Sequence, residues 1–368
     1  MSLSRLTLTD FRGYRHLRLE TDSRPVVVAG ANGAGKTNLL EAISYLVPGR
    51  GLRGAPLSEV ARQGGGPEWA VAASLATSDG PLEVGTGQTG DKRTVRINGE
   101  TVRNQSTLAE YLSVHWLTPQ MDRLFLEGPQ ARRRFLDRLV FSADPAHAGR
   151  VAGYEHAMRE RLRLLRDGQG DGAWLSALED TMAGKGVAVA AARLDMADRL
   201  GAFCARQAPG PFPRAALAVE GTVEGWLAAM PALEAEDRLR SALAARRSQD
   251  GQDGATGIGP HRSDLAVRHL GKDQAAGLCS TGEQKGLLLA LVLANARLQA
   301  AERGSLPILL LDEVAAHLDS VRRQALFDEL LDLKAQAWMT GTDAALFAPL
   351  GARAQFFTVE DAAVTAAH

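Results

Sequence analysis

A glycine-rich stretch near the amino end of the chain has the residue types and the spacing of a phosphate-binding loop. Residues 30–37 read Gly-Ala-Asn-Gly-Ala-Gly-Lys-Thr and fit the pattern G-x-x-x-x-G-K-[ST]. Glycines let the backbone N–H groups of such a loop turn towards an anion, and the first turn of a following helix adds positive potential. We expect Lys36 to reach the β- and γ-phosphates of a nucleoside triphosphate and Thr37 to coordinate Mg²⁺. The expected nucleotide-binding residues are Gly30, Asn32, Gly33, Gly35, Lys36, Thr37 and Asn38. The alternative is a glycine-rich turn that only caps a helix.

Two consecutive carboxylates near the other end of the chain could supply the second half of a hydrolytic site. Asp312 and Glu313 directly follow the apolar run Ile308-Leu309-Leu310-Leu311, which is typical of a buried strand. We expect Asp312 to hold Mg²⁺, directly or through water, and Glu313 to orient and deprotonate the attacking water. Lys36 and Glu313 are the predicted catalytic residues. Because apolar runs that end in Asp-Glu are common, this one gains its weight from its pairing with a phosphate-binding loop.

A third segment has the composition of a helix start that faces a phosphate. Cys279-Ser280-Thr281-Gly282-Glu283-Gln284, ahead of an apolar helical stretch over 286–298, resembles the L-S-G-G-Q signature of ABC ATPases. Ser280 and the neighbouring backbone N–H groups would then face phosphate. The resemblance implies that this segment contacts the nucleotide bound to a second copy of the chain, so that a homodimer closes on two ATP molecules. The residues that would make this contact are Ser280, Gly282 and Gln284. A helix capped by Ser280, with Glu283 as capping-box partner, is an alternative compatible with that role.

Two more positions can be compared with motifs of ABC ATPases, the D-loop and the switch histidine. Asp319 ends the stretch Ala315-Ala316-His317-Leu318-Asp319 and matches the end of the D-loop. Many of these ATPases have a switch histidine after the next strand, where this chain has Thr340-Gly341-Thr342-Asp343. We expect Thr340 or Thr342 to approach the γ-phosphate more weakly than a histidine. This departure favours slow, switch-like hydrolysis.

Strand patterns frame both ends of the chain, and helix patterns fill its middle. Val26–Val28, Val114–Leu117 and Ala337–Met339 are predicted as strands, and Asn98-Gly99 predicts a hairpin turn within a β region from Trp69 to Val102. Helices are expected from Pro129 onwards, over Tyr154–Arg166, Trp174–Arg206 and Trp226–Arg247, before a polar stretch from Ser248 to Gly257. The predicted fold class is α/β, an ABC-type P-loop ATPase lobe formed by both chain ends with an inserted, mainly helical second lobe. The expected divisions are 1–128, 129–257 and 258–368.

Composition limits the partners and the compartment. The formal net charge of −1 gives no overall attraction to a polyanion, so a nucleic-acid surface has to be a local basic patch. Neither cysteine lies in a C-x-x-C pair, which argues against a disulfide framework and fits a reducing compartment. The first residues have no apolar h-region, and no apolar run approaches the length of a bilayer span. We therefore expect a cytoplasmic protein without a membrane partner.

Two inner segments carry a resemblance to one family of ABC ATPases. Residues 117–122, Leu-Thr-Pro-Gln-Met-Asp, continuing to residues 127–137, Glu-Gly-Pro-Gln-Ala-Arg-Arg-Arg-Phe-Leu-Asp, are similar to the pattern P-x-D…G-x-P-x-x-R-R-x-F-L-D, with the spacing before Asp122 one residue longer. Gly259-Pro260-His261-Arg262-Ser263-Asp264-Leu265 is similar to G-P-H-R-D-D-L. These patterns, and the opening from Leu6 to Tyr14, resemble the RecF family of the RecF/SMC branch. The resemblance implies that Arg12 lies near the nucleotide and that Gln120, near the Q-loop position, completes Mg²⁺ coordination.

The same resemblance implies a function in DNA repair, DNA replication and the SOS response. RecF proteins bind double-stranded or gapped DNA when ATP is bound, and work with RecO and RecR to load RecA. We accordingly expect a weak ATPase that is stimulated by DNA and is not a nuclease. The DNA candidates are Arg132, Arg133, Arg134, Arg159 and Arg163, with Arg161, Arg166, Arg238, Arg240, Arg246 and Arg247 in further clusters. For any one cluster, a solvated helix face with acidic partners is the alternative. His261 and Arg262 are either phosphate contacts or buried structural residues.

A transport-energising ATPase subunit is the competing class of function. It would need a membrane partner and would have no affinity for DNA.

Overall fold

The computed structural model describes residues 1–77, 80–168, 171–208 and 210–367. Its strands are β1 Ser2–Phe11, β2 Tyr14–Glu20, β3 Val26–Ala29, β4 Trp69–Thr77, β5 Gly80–Thr89, β6 Lys92–Ile97, β7 Glu100–Val102, β8 Val114–Leu117, β9 Ala215–Glu220, β10 Asp264–His269, β11 Gln274–Ala275, β12 Ile308–Leu311, β13 Ala337–Gly341, β14 Gln355–Glu360 and β15 Ala363–Ala366. Its α-helices are α1 Lys36–Ser44, α2 Leu108–Tyr111, α3 Pro129–Ala143, α4 His147–Asp167, α5 Gly172–Arg206, α6 Thr222–Ala229, α7 Ala232–Ala245, α8 Arg247–Asp253, α9 Thr281–Arg303 and α10 Ser320–Leu333.

The chain divides into two compact units. The first contains Met1–Asp122, Gly210–Phe212 and Val292–His368, and the second contains Arg123–Pro209 and Pro213–Leu291. The sequence placed divisions after residues 128 and 257, whereas the main changes of unit fall after residues 122 and 291. The segment that resembles the ABC signature therefore lies in the second unit.

An antiparallel sheet in the first unit has the strand order β2-β1-β4-β5-β6-β7. Leu6 and Leu8 are fully buried, as their alternation with polar residues predicts. The predicted hairpin is confirmed, because Val95 pairs with Val102 across a turn in which Asn98 and Gly99 both have positive φ angles.

A second sheet of the first unit positions the residues with chemical potential. Its order is β15-β14-β3-β13-β12-β8, and the strands from β14 to β8 run parallel. The strands predicted at Val26–Val28, Val114–Leu117 and Ile308–Leu311 are confirmed as β3, β8 and β12, and each is largely buried. In a parallel sheet the carboxyl ends of the strands meet at one edge, where ligands bind in open α/β folds. The phosphate-binding loop follows β3, and the two carboxylates follow β12.

The second unit is mainly helical, as predicted, but it differs from the expected pattern in three places. The helix expected over Trp226–Arg247 is interrupted at Met230 and Pro231, because proline does not continue a helix from the preceding turn. The polar stretch from Ser248 to Gly257 is partly helical, since α8 runs to Asp253. A small sheet of order β11-β10-β9 was not predicted.

A core cluster of the second unit explains how its helices hold together. Met182, Ala183, Leu239 and Leu243 are fully buried on α5 and α7, where they pack with Val223 of α6. None of the helices in the described ranges is long and apolar enough to cross a membrane.

Candidate nucleotide-binding site

The phosphate-binding loop needs glycine at its first and sixth positions for steric reasons. Gly30 has a φ of 158°, and a Cβ atom there would collide with the carbonyl oxygen of Val359 on β14. Gly35 has a φ of 115°, and a Cβ atom there would lie 2.9 Å from the hydroxyl oxygen of Tyr14, which itself donates to the Gly35 carbonyl. Left-handed backbone at these points orients the loop around the start of α1. The sequence pattern therefore corresponds to a formed loop followed by a helix, as predicted.

Lys36 lies at the first turn of α1, with only 5% of its surface exposed. Its ammonium nitrogen donates to the carbonyl oxygens of Gly30 and Ala31, at 2.7 and 2.8 Å. Burial lowers the pKa of Lys36, and the nearby carboxylates of Glu313 and Asp312 oppose that shift. An ammonium group has three N–H donors, so a third can be directed at a phosphate oxygen.

Asp312 joins the two halves of the site. The Thr37 hydroxyl donates to its carboxylate oxygens at 3.0 and 3.2 Å, although the two residues are 275 positions apart in sequence. The Thr340 hydroxyl donates to Asp312 Oδ1 at 2.7 Å and accepts from the backbone N–H of Glu313 at 2.8 Å. The backbone N–H of Asp312 donates to Leu117 at the end of β8. Three parallel strands and the loop thus converge on one carboxylate.

The predicted residues around this centre occupy different environments. Glu313 is half-buried and has a left-handed φ of 49°, which turns the chain sharply after β12. Gln120 is exposed in a 3₁₀ helix over Pro119–Arg123, just beyond the end of β8. Asp319 accepts a hydrogen bond from the backbone N–H of Arg322 and caps α10. Thr342 is exposed, whereas Thr340 is fully buried.

Arg12 contacts the helix of the loop rather than standing free. Its guanidinium forms a two-pronged ion pair with Glu41 of α1, with N···O distances of 2.9 and 2.6 Å. The hydrogen bonds that Arg12 donates to Glu41 raise the pKa of Arg12. Glu41 is fully buried and also receives Arg53, whose guanidinium additionally donates to Asn38. Arg12 and Arg53 therefore compensate the charge of a carboxylate buried on the apolar side of α1.

The hydrogen-bond donors at the start of α9 in the second unit are bound to a carboxylate of the same helix. The backbone N–H and the hydroxyl of Ser280 both donate to Glu283 Oε2, at 3.0 and 2.9 Å, and Lys272 pairs with the other oxygen of Glu283. These contacts, led by Lys272, lower the pKa of Glu283 to about 2. Gln284 is buried and donates to the carbonyl of Cys279, so it lies on another side of the helix from the exposed Ser280. Counted from Cys279, the place of the signature glutamine is occupied by Glu283.

The arginines expected to contact DNA occupy three kinds of environment. Arg132 forms a two-pronged ion pair with Asp264, and Arg133 donates to the carbonyl of Ser263. Arg159 and Arg163 are exposed on α4 and pair with acidic residues of the same helix. Arg134 is exposed, and no hydrogen bond or ion pair joins its guanidinium to another residue in the described part of the chain.

Arg161, in contrast, is fully buried between Glu179 and Asp250. The structure therefore removes it from the possible DNA contacts.

The segment from Gly259 to Leu265 is bound internally. His261 donates through Nε2 to the carbonyl of Thr256 and accepts at Nδ1 from the hydroxyl of Tyr154, at 2.9 and 2.7 Å. Burial lowers the pKa of His261, which fits this neutral form. Arg262 also donates to the carbonyl of Thr256. Of the two alternatives for His261 and Arg262, the geometry favours the structural one.

Some contributions were not predicted from sequence. Thr340 was expected near a phosphate, and its link to Asp312 depends on the register of two strands. Glu41 carries a signal, since a charged residue lies among the apolar residues Leu40, Ala42 and Ile43. Lys272 carries none, because the turn between β10 and β11 alone brings it to Glu283.

A phosphate-binding loop and an Asp-Glu pair at the carboxyl edge of a parallel sheet define this chain as an ABC-type P-loop ATPase fold. Residues 2–362 match the family model described as RecF/RecN/SMC N terminal domain. The protein called DNA replication and repair protein RecF in Mesorhizobium japonicum is 53% identical over 368 residues, covering 98% of this chain and 97% of the relative. Its namesake in Rhizobium meliloti is 50% identical over 369 residues, covering 99% and 98%. The chain belongs to the RecF family.

Solved structures agree on the fold. The recombination mediator protein RecF-ATPrS in the RecFOR pathway superposes with a TM-score of 0.86 at 21% identity, covering 100% of this chain and 98% of that one. An SMC head bound to the C-winged helix domain of ScpA has a TM-score of 0.55 at 15% identity, covering 100% and 97%. The fold therefore extends to SMC heads, with a greater likeness to RecF.

Proposed function

We propose that this chain is an ATP-dependent DNA-binding protein of recombinational gap repair. The observation that carries the proposal is the contact of Thr37 with Asp312, which completes a nucleotide-binding edge in a chain of the RecF family. Relatives about half identical over nearly their whole length bear the name DNA replication and repair protein RecF. On this proposal ATP binding closes a homodimer on double-stranded or gapped DNA, and slow hydrolysis releases it.

The first half of the proposed reaction site lies in the first unit. Lys36 and the loop N–H groups bind the β- and γ-phosphates, while the half-buried Glu313 orients the attacking water and accepts its proton. The hydroxyl of Thr37 and the carboxylate of Asp312 are adjacent hard oxygen donors, which suits Mg²⁺, and Gln120 is the proposed third ligand. Bound Mg²⁺ would neutralise charge on the phosphates.

The second half comes from another copy of the chain. Ser280 and Gly282 at the start of α9 of that copy would face the γ-phosphate, and Asp319 would lie at the dimer interface. The exposure of Ser280 at the N-terminus of α9 supports this part of the proposal. Thr342 in place of a switch histidine supports a weak ATPase, and we propose that DNA stimulates it.

Partners follow from the family. The similar solved structures are described as recombination mediator proteins in the RecFOR pathway. We propose that this chain likewise works with RecO and RecR, promotes the loading of RecA, and acts without a membrane partner. Arg134 is the foremost DNA candidate because its guanidinium is exposed. Arg159 and Arg163 would have to exchange acidic neighbours for phosphates.

Fluorescence anisotropy of a labelled gapped duplex tests the DNA function. The protein is titrated under ATP, ADP and no nucleotide at two salt concentrations, with Glu313→Gln to preserve ATP. We expect tight, salt-sensitive binding with ATP only. Arg134→Ala should weaken binding and reduce the salt slope by about one, whereas Arg18→Ala, at an exposed arginine of β2, should change neither. Absence of binding in every nucleotide state would overturn the DNA function.

A further inference from the structure

Thr340 is a polar residue in an otherwise apolar, fully buried strand. The residues of β13 before Gly341 are Ala337, Trp338, Met339 and Thr340, and none of them reaches the surface. A buried hydroxyl costs stability unless both its donor and its acceptor capacity are used. Here both are used, and both partners belong to the proposed hydrolytic site.

The register of the sheet explains how Thr340 reaches them. In the parallel pair of β12 and β13, Leu311 lies beside Met339. The next residues along the two strands are Asp312 and Thr340, so their side chains extend from adjacent strand ends on the same edge. Because Thr is β-branched, its hydroxyl has few rotamers and is held in one direction.

The hydrogen-bond directions restrict what Thr340 can do. A backbone N–H only donates, so the contact with Glu313 uses the hydroxyl oxygen as acceptor. The single hydroxyl hydrogen is directed at Asp312 Oδ1. Thr340 therefore has no second hydrogen with which to contact a phosphate, and the contact expected from the sequence would require breaking its bond to Asp312.

We infer that Thr340 is a positioning residue that holds Asp312 and Glu313 in a fixed relation. Its hydroxyl fixes the rotamer of the Asp312 carboxylate and the left-handed backbone of Glu313 at once. Groups that orient a metal ligand or a general base affect the rate through geometry rather than through substrate contact. This inference rests on the proposed ATPase activity. It goes beyond that proposal because it gives Thr340, which lies where many ABC ATPases lead into a switch histidine, a role in positioning instead of phosphate contact.

Three variants separate positioning from packing. Thr340→Val keeps the shape and removes the hydroxyl, Thr340→Ser keeps the hydroxyl and removes a methyl group, and Thr365→Val makes the same change at an exposed threonine of β15. ATP hydrolysis is measured at saturating DNA, and binding of a fluorescent ATP analogue is titrated against Mg²⁺. Melting temperatures establish that each variant is folded at the assay temperature.

We expect Thr340→Val to lower kcat roughly 10- to 100-fold, with KM for ATP within about threefold of the original. The Mg²⁺ concentration needed for half-maximal analogue binding should rise, because the Asp312 carboxylate is less constrained. Thr340→Ser should restore both quantities to within about threefold, and Thr365→Val should change neither.

Equal kcat in Thr340→Val and the original would overturn the inference, as would a Thr340→Ser variant as impaired as Thr340→Val. If the unsubstituted chain neither binds the analogue nor hydrolyses ATP, the proposed ATPase function is overturned, and not only the role of Thr340.

Discussion

The two halves of the proposed ATP site differ in how their polar groups are used within one chain. In the first unit, Lys36 and Thr37 at the start of α1 and Asp312 after β12 lie close together, with Lys36 bonded to the loop and Thr37 bonded to Asp312. In the second unit, the donors at the start of α9 are already bound to Glu283, which Lys272 holds in place. One half is arranged for a ligand, while the other carries a carboxylate where a phosphate is proposed to bind.

This difference indicates different requirements for the two halves. A nucleotide entering the loop meets donors fixed by the fold of the first unit. A nucleotide meeting Ser280 of a second copy has to displace Glu283, exchanging one oxyanion for another at the same helix start. The pKa of Glu283 is about 2, so this carboxylate stays ionised at neutral pH and opposes an approaching phosphate. Capping of α9 and closure of the dimer are therefore expected to compete.

The largest expected effect belongs to the prearranged half. Glu313→Gln removes the proposed general base without changing the size of the side chain, and should lower the rate of ATP hydrolysis roughly 10²- to 10⁴-fold. ATP binding should remain. Phosphate release and analogue titration measure the two quantities, and Glu100→Gln, at the exposed first residue of β7, is the matched control. Undiminished hydrolysis would remove Glu313 from its assigned role.

The next effect concerns the start of α9, where Ser280 is bound to Glu283. Ser280→Arg places a bulky side chain at the start of α9, which is proposed to face the phosphate, and should weaken ATP-induced dimerisation by about 100-fold or more through steric exclusion. ATP binding to the monomer should be unchanged. Sedimentation in the Glu313→Gln background measures dimerisation, with Ser248→Arg, at an exposed serine of α8, as control. If Ser280→Arg still dimerises on ATP, the signature assignment is wrong.

A smaller effect tests the competition directly. Glu283→Gln keeps a capping-box side chain but removes its charge, so α9 should remain capped. Removing the charge should relieve about 0.3–1 kcal/mol of repulsion at each of the two sites, so the ATP-bound dimer should tighten roughly 3- to 30-fold. Glu234→Gln makes the same change in the first turn of α7 and should leave the dimer unaffected. An equal or weaker dimer in Glu283→Gln would show that the carboxylate does not oppose the nucleotide.

The smallest effect concerns Lys272. Its contact is the leading cause of the low pKa of Glu283, so Lys272→Met should raise that pKa towards the usual glutamate value. Because the folded pKa lies below the unfolded one, the capping contribution is present above the unfolded pKa and is lost as the pH falls towards 2. In the variant this loss should occur at higher pH. A carboxyl-carbon NMR titration, assigned with Glu283→Gln, measures the shift; an unchanged pKa would contradict the ion pair.

The confirmed predictions and the failed ones differ in the range of the interactions behind them. The strands β3 and β12 were predictable because each is a short apolar run, and β8 was predictable because it is mostly apolar. The unpredicted β9 pairs with β10, and residues 215 and 269 of that pair are far apart in the chain. The break at Pro231 was a local signal that the helical pattern on both sides concealed.

For the candidate site, residue types and spacing identified the groups but not their contacts. Asn98-Gly99 and the glycines of the loop require particular backbone angles, so local sterics alone indicated a hairpin turn and a phosphate-binding turn. The ion pair of Arg12 with Glu41 was partly predictable. A buried charge such as Glu41 requires a partner, but the sequence does not show which residue that partner is.

The sequence by itself determined the family, the phosphate-binding loop and several of the strands, because glycine angles, apolar periodicity and short motifs act over a few residues. Only the tertiary structure decided that Thr340 holds Asp312, that Gln284 is buried, and that Arg161 is buried. Each of these depends on strand register, helix phase or packing between segments far apart in the chain. Hydrogen bonds and ion pairs form where the folded backbone brings donors within about 3 Å of acceptors, and local sequence does not encode that distance.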